Sequence, residues 1–357
     1  MSFLLLLIIP VLFAVGLFLF TKNKISLKEF IIHLSVQALI SVVSVFMIYN
    51  QNTGDSEVWA GKLVDKQRLK VRCSHSYSCN CRTVRSCSGG KTRSCSSRTV
   101  CSTCYRHSYD VSWALYSSIG SSLNVSRLDS RGLEEPPRWS RAKIGEPWFE
   151  NRSYTNYVKG AANTLFKHKG QSKSLLKKIP EYPNRIYDYH RLDRAVNIKG
   201  SSINLSEFNN KLQKLNSRLG KTKQAVALVV FSKNESTDLS YAIKQKWIGG
   251  KKNDVIIIID HDGQGNINWS EIISWSKSTY INTVLKDSIE LQKKLDFDKI
   301  LGIIEKEITS HFQRKSMEDF EYLKYDVEPT SEQLIWALIV GLLISLGLGY
   351  FFYKNDI

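Results

Sequence analysis

Three stretches of the chain are long, strongly apolar and almost free of charge, and shorter apolar patterns at helix or strand spacing occupy part of the remainder. Phe3 to Phe20 carries no charge, Phe30 to Tyr49 carries none apart from the titratable His33, and Leu334 to Tyr353 is a third uncharged run. Each is close to the roughly 20 residues a helix needs to cross a bilayer, so helices over 3–20, 30–49 and 334–353 are expected to span a membrane. Only Met1 and Ser2 precede the first run, and Leu19, Phe20 and Thr21 lead straight into Lys22. A basic leader and a small-residue cleavage site are both missing, which favours a retained helix over a signal peptide. His33 and Gln37, the polar residues inside the runs, stand four apart on one helical face and read as a helix–helix contact rather than a transport path.

A different pattern fills residues 205 to 325. "LSEFNNKLQKLNSRLG" puts Leu205, Phe208, Leu212, Leu215 and Leu219 on one helical face, with Gly220 where a C-cap belongs. "AVALVVF" and "DVIIIID" are continuous apolar runs of strand length, as in strands covered on both faces. Between them "STDLSYAIKQKW" reads as a helix with Leu239, Ile243 and Trp247 along its stripe, stopped by Gly249 and Gly250. Two buried strands joined through a helix form a βαβ unit, which points to the α/β class.

The segment from Asp260 to Glu271 also fits a calcium loop, with Asp260, Asp262, Gln264, Gly265, Ile267 and Glu271 at matching positions. That loop belongs between two helices, whereas four isoleucines precede it here. The flanking "INWSEIISW" suits a returning strand, and Asp-Gly and Gly-Asn are hairpin residues. A hairpin is therefore expected, with a cation held by Asp260 and Asp262 as the minor alternative.

Residues 50–155 read as a basic, cysteine-rich module. All seven cysteines fall within "CSHSYSCNCRTVRSCSGGKTRSCSSRTVCSTC", at Cys73, Cys79, Cys81, Cys87, Cys95, Cys101 and Cys104. So little apolar surface needs covalent or metal staples. Disulfides are the first reading, with an odd thiol left free or paired between chains. Zinc is the alternative: Cys101 and Cys104 have knuckle spacing, Cys79 and Cys81 a poorer one, and His75 and His107 would add ligands. "YRHSYDVSWALYSS" reads as a strand, and the proline-rich "EEPPRWSRAKIGEPW" as an exposed connector ending this module near residue 155. Residues 156–204 read as a basic linker.

The net charge of +17 is concentrated, with eleven Lys and Arg against Asp65 alone from Lys62 to Arg106 and sixteen against four acids from Arg152 to Lys223. Such a field attracts lipid headgroups, surface polymers or nucleic acid. No recognisable nucleic-acid module accompanies it. The loop 21–29 holds Lys22, Lys24 and Lys28, and short lysine-rich loops stay cytoplasmic. The N-terminus is then outside, residues 50–330 are extracytoplasmic, and the C-terminus is cytoplasmic.

"AIKQKWIGGKKNDVIIIIDHDGQGNINW" resembles the central signature of the TPM domain family, at Trp247, Gly249 to Lys252, Val255 to Ile259 and Asp260 to Asp262. "ILGIIEKEITSHFQRKSMEDFEYL" is similar to the amphipathic helix near the end of that family, with Ile300, Ile304, Ile308 and Phe312 on one side. The resemblance covers roughly residues 205–325 and departs after the hairpin, where "SWSKSTYINTVLKD" replaces a glycine-rich stretch. The whole arrangement resembles uncharacterised membrane proteins of large tailed phages.

The expected fold is thus of α+β or α/β class: three transmembrane helices flanking a Cys-rich module and a TPM-like α/β sandwich. The leading function is a membrane-anchored accessory protein that binds a protein partner or an anionic surface at the outer membrane face. The resemblance leaves open a weak metal-assisted phosphatase using Asp260, Asp262 and Asp254. With reversed topology, a cytosolic-facing zinc and nucleic-acid binder becomes the reading. Zinc at the cysteines or calcium at the acidic turn are the cofactors considered.

Overall fold

The computed structural model describes residues 2–21, 25–88, 94–161, 164, 170–188 and 190–355. Lys22 and Lys24 of the expected cytoplasmic loop, and Lys91, Arg93, Lys167 and Lys169 of the basic stretches, lie outside them. Helix α1 covers Ser2–Phe20 and α2 covers Leu27–Thr53; with the C-terminal helix Ser331–Asn355 they are long and apolar enough to cross a membrane. The second and third helices outrun their apolar stretches, because backbone hydrogen bonding continues into polar flanks that hydropathy does not register. At α2 a capping box does this: the Glu29 amide donates to Ser26 Oγ and the Ser26 amide to Glu29 Oε2 at 2.6 Å. The three helices pack on one another. His33 Nε2 meets Ser345 Oγ at 2.8 Å and Gln37 Nε2 donates to Gly341 O at 3.4 Å, so both residues join α2 to the C-terminal helix.

Helix α2 passes directly into β1 (Gly54–Val71), a strand long enough to serve two neighbours. The ribbon strands β2 (Ser76–Ser88) and β3 (Ser94–Tyr105) follow, then β4 (Asp110–Ser117), β5 (Ser122–Val125), the short helix α3 (Pro137–Arg141) and β6 (Pro147–Thr155). Strand β1 pairs with β6 over Gly54–Lys62 and with β4 over Leu63–Val71, giving an antiparallel sheet in the order β5-β4-β1-β6. Leu63, Val111, Trp113, Leu115 and Trp148 form its core. The expected module of residues 50–155 thus begins in the last turn of α2 and, from Gly54 on, is a folded sheet with the cysteine ribbon inserted between β1 and β4. The proline-rich segment is no terminal connector: it holds α3, and its last residues begin β6, with Ala142 and Trp148 buried.

Short helices α4 (Tyr157–Gly160) and α5 (Lys173–Lys178) lead to β7 (Ala195–Asn197). Then come α6 (Ser206–Thr222), β8 (Val226–Lys233), α7 (Asp238–Trp247), β9 (Asp254–His261) and β10 (Ile267–Ser274). Helices α8 (Tyr280–Glu290) and α9 (Phe297–His311), a 3-10 helix over Met317–Asp326 and the C-terminal helix α10 complete the chain. The second sheet runs β10-β9-β8-β7, with β7, β8 and β9 parallel and β10 returning antiparallel. Residues 156–204 therefore do more than link: β7 extends this sheet, and Ile179, Leu192 and Ile198 are buried.

Alternation explains the unbroken apolar strands. Ala227, Val229, Phe231, Val255, Ile257 and Ile259 face α6, α8 and α9. Leu228, Val230, Ile256 and Ile258 face α7. With helices on both faces, neither side of a strand can be polar. Helix α7 ends one residue before the glycines expected to stop it: Ile248 is its left-handed C-cap at φ 52°, and Gly249 and Gly250 continue the turn at 71° and 80°. Gly220 does not cap α6, which runs on to Thr222. Its missing side chain serves packing instead, since a Cβ there would lie 2.0 Å from Ala60 O of β1.

The two sheets are joined rather than tethered. Val58, Ala60 and Phe149 of the first share a cluster with Leu192 and Val226 of the second. Asn253 Nδ2 donates to Val58 O at 2.6 Å, Lys251 pairs with Asp55, and Arg314 pairs with Glu57. Asn52, at the end of α2, donates to Glu328 O at 2.9 Å and to Gln333 Oε1 at 3.1 Å, fastening the membrane helices to this unit.

Candidate functional site

The acidic turn forms the hairpin between β9 and β10, and its carboxylates are engaged within the protein. Asp260 is fully buried; its Oδ1 accepts from Ser232 Oγ at 2.7 Å and the Glu235 amide at 3.0 Å, and its Oδ2 from Asn268 Nδ2 at 2.8 Å. It thereby ties the β8–α7 connection to the hairpin. Asp262 accepts from the Gln264 amide at 2.6 Å and from the Asn266 amide and side chain at 3.1 and 2.5 Å. These bonds, the Asn266 side chain foremost, hold its carboxyl below the usual carboxylate range. Gly263 and Gly265 supply the positive φ the turn requires, 86° and 92°. Burial pushes the His261 imidazole pKa down, and its Nδ1 accepts from the Gly263 amide at 2.9 Å.

Asp254 stands at the other end of β9. Six residues of strand at about 3.3 Å each put roughly 20 Å between it and Asp260, beyond the reach of a shared metal ion. It belongs to a different group: Tyr182 Oη donates to it at 2.5 Å, the Lys251 amide at 2.8 Å, and the wholly buried Arg194 pairs with it at 3.4 Å. The "GGKKND" turn thus places Lys251 and Asn253 on β1, and Lys252 3.8 Å from Glu57. Its residues dock the two sheets.

In the ribbon the cysteines pair as Cys79–Cys104, Cys81–Cys101 and Cys87–Cys95, three nested cross-strand disulfides. Cys87 and Cys95 face each other in register, while Cys81 and Cys101 lie where the ladder slips between Cys79 and Arg82. The four cysteines of the zinc alternative are all consumed by these bonds. The odd thiol is Cys73, which is 4% exposed and so shielded from pairing with another chain.

His75 and His107 come together, but with Cys73 rather than with the paired cysteines. Among the described residues these three form the one group of three or more His, Cys, Asp and Glu whose ligand atoms all lie within 4.8 Å of one another. They sit at the neck of the ribbon, where the chain leaves β1 and where it re-enters β4. Asp110, the first residue of β4, is buried beside them. Its Oδ2 accepts from the Ser74 amide at 2.8 Å, Ser74 Oγ at 2.9 Å and Arg127 at 3.1 Å. These donors, the Ser74 amide first, hold the carboxyl well below the usual range despite burial. Neither Cys73 nor Asp110 stands out in the sequence. The available signal is a symmetry: Cys73-x-His75 before the ribbon and His107-x-x-Asp110 after it.

The chain matches no protein-family description, no curated protein and no solved structure. The resemblance to the TPM domain rests on the residues quoted for it.

Proposed function

We propose that the chain is a membrane-anchored accessory protein whose basic, disulfide-stapled ribbon binds an anionic partner at the outer membrane face. In this reading residues 50–330 are extracytoplasmic, the C-terminus is cytoplasmic, and a TPM-like α/β domain serves as the rigid base. The ribbon carries the argument. Between Ser76 and Tyr105 the sequence has five Lys and Arg and no acid. The described ribbon side chains are exposed or half-buried, so its shape depends on its disulfides and not on a core. Disulfides persist in oxidising compartments, and the lysines of loop 21–29 favour the same orientation. Exposed Arg82, Arg85 and Arg98 on a stiff scaffold suit long-range attraction of negative charge.

Thiol labelling of sealed cells with a membrane-impermeant maleimide tests this. Ribbon cysteines should label only after an impermeant reductant is added outside. Labelling without reductant, and only after lysis, would place the ribbon in the cytosol and end this reading.

A further inference from the structure

We infer that the neck of the ribbon is a zinc site formed by Cys73 Sγ and the imidazoles of His75 and His107, with the buried Asp110 carboxylate beside it. Ligands bonded at about 2.0–2.3 Å in a tetrahedron stand roughly 3.5 Å apart. Cys73 Sγ and His107 Nδ1 are 3.5 Å apart, and His107 Nδ1 and Asp110 Oδ1 are 3.8 Å apart. The neighbouring carboxylate is the independent observation. Asp110 has no exposed side-chain surface, and its Oδ1 is buried without a hydrogen-bond partner while Oδ2 takes three. A buried carboxylate oxygen left unpaired is costly, and here it faces an imidazole nitrogen beside a thiol. The donors on Oδ2 play the orienting part that outer-shell groups play at metal centres.

One thiolate and two imidazoles form a borderline set suited to zinc, and the adjacent carboxylate adds negative charge beside it. Arg127, 3.1 Å from Oδ2, is the nearby charge that opposes a cation; the thiolate and carboxylate together outweigh it. The site joins both chains of the neck, where the Arg106 amide already donates to His75 O at 3.1 Å. Zinc there would fix the angle at which the ribbon leaves the first sheet, whatever partner the ribbon binds.

The test uses the full chain in detergent, kept oxidised so that the six ribbon cysteines stay paired. After equilibration with zinc and removal of loosely bound metal, elemental analysis should find one zinc per chain. Cys73→Ser, His75→Ala and His107→Ala should each lose at least nine-tenths of it, and Asp262→Ala should retain it. His75 and His107 are only partly buried, so their variants test the site even if Cys73→Ser misfolds. Cobalt in place of zinc should give a thiolate charge-transfer band that Cys73→Ser abolishes. Wild-type chain without bound metal, or zinc retained in both histidine variants, overturns the inference.

Discussion

Replacing Gly220 by Ala isolates the contact that joins the two sheets. In an exposed helix interior that change stabilises by about 0.5–1 kcal/mol, because glycine loses more backbone entropy on folding. At Gly220 the new Cβ would lie 2.0 Å from Ala60 O, 2.7 Å from its carbonyl carbon and 2.9 Å from its Cβ. Ordinary contact requires about 3.5 Å, so α6 and β1 must separate by roughly 1.5 Å. Two of those atoms are backbone and cannot rotate away, and Leu219 and Ala60 on either side of the contact are buried. Overpacking of this kind costs about 1–3 kcal/mol. Less the entropic gain, the net loss of about 1–1.5 kcal/mol lowers Tm by roughly 2–6 °C for a folded unit of this size. Gly302 of α9 is the internal control, since nothing lies within 4 Å of its Cβ position. Gly302→Ala should raise Tm slightly in the same assay, thermal unfolding of the detergent-solubilised chain followed by near-ultraviolet circular dichroism. If both variants stabilise alike, α6 does not rest on Ala60 and the joined-sheet architecture is wrong.

Two further outcomes follow from the ion pairs and the turn. Lys251→Met leaves Asp55, 8% exposed in its side chain, without its cation. Burial pushes the Asp55 carboxyl up and Lys251 brings it back below the usual range, so the variant should lose about 1–3 kcal/mol in urea unfolding; an unchanged midpoint would show the pair to be solvated. Asp262 has its carboxyl pKa lowered in the folded state, so its stabilisation is present above the ordinary carboxylate value and is lost as pH falls through the lowered one. The wild-type urea midpoint should therefore fall more steeply than that of Asp262→Ala between about pH 5 and about pH 3, and parallel curves would mean that the turn bonds contribute nothing.

What the sequence determined by itself is what short-range pattern controls. Uncharged runs near 20 residues mark the three membrane-length helices, because the bilayer sets a length no other environment demands. The four isoleucines before Asp260 decide for a hairpin over a calcium loop, since that loop needs a preceding helix. The crowding of all cysteines into one polar stretch points to staples, covalent or metal. What the tertiary structure decided are partnerships between distant residues, which leave no periodic trace. Gly54 pairs with Thr155 and Ala195 with Val229. These pairings turn an expected module and linker into two sheets in contact, and change Gly220 from a helix stop into a packing contact. Disulfide connectivity is equally silent, because spacing alone cannot select one pairing of six cysteines. The neck of the ribbon is the sharpest case. Cys73 and His75 meet His107 and Asp110 only because some thirty intervening residues fold out and back as a ribbon, so the constellation exists in space and not along the chain.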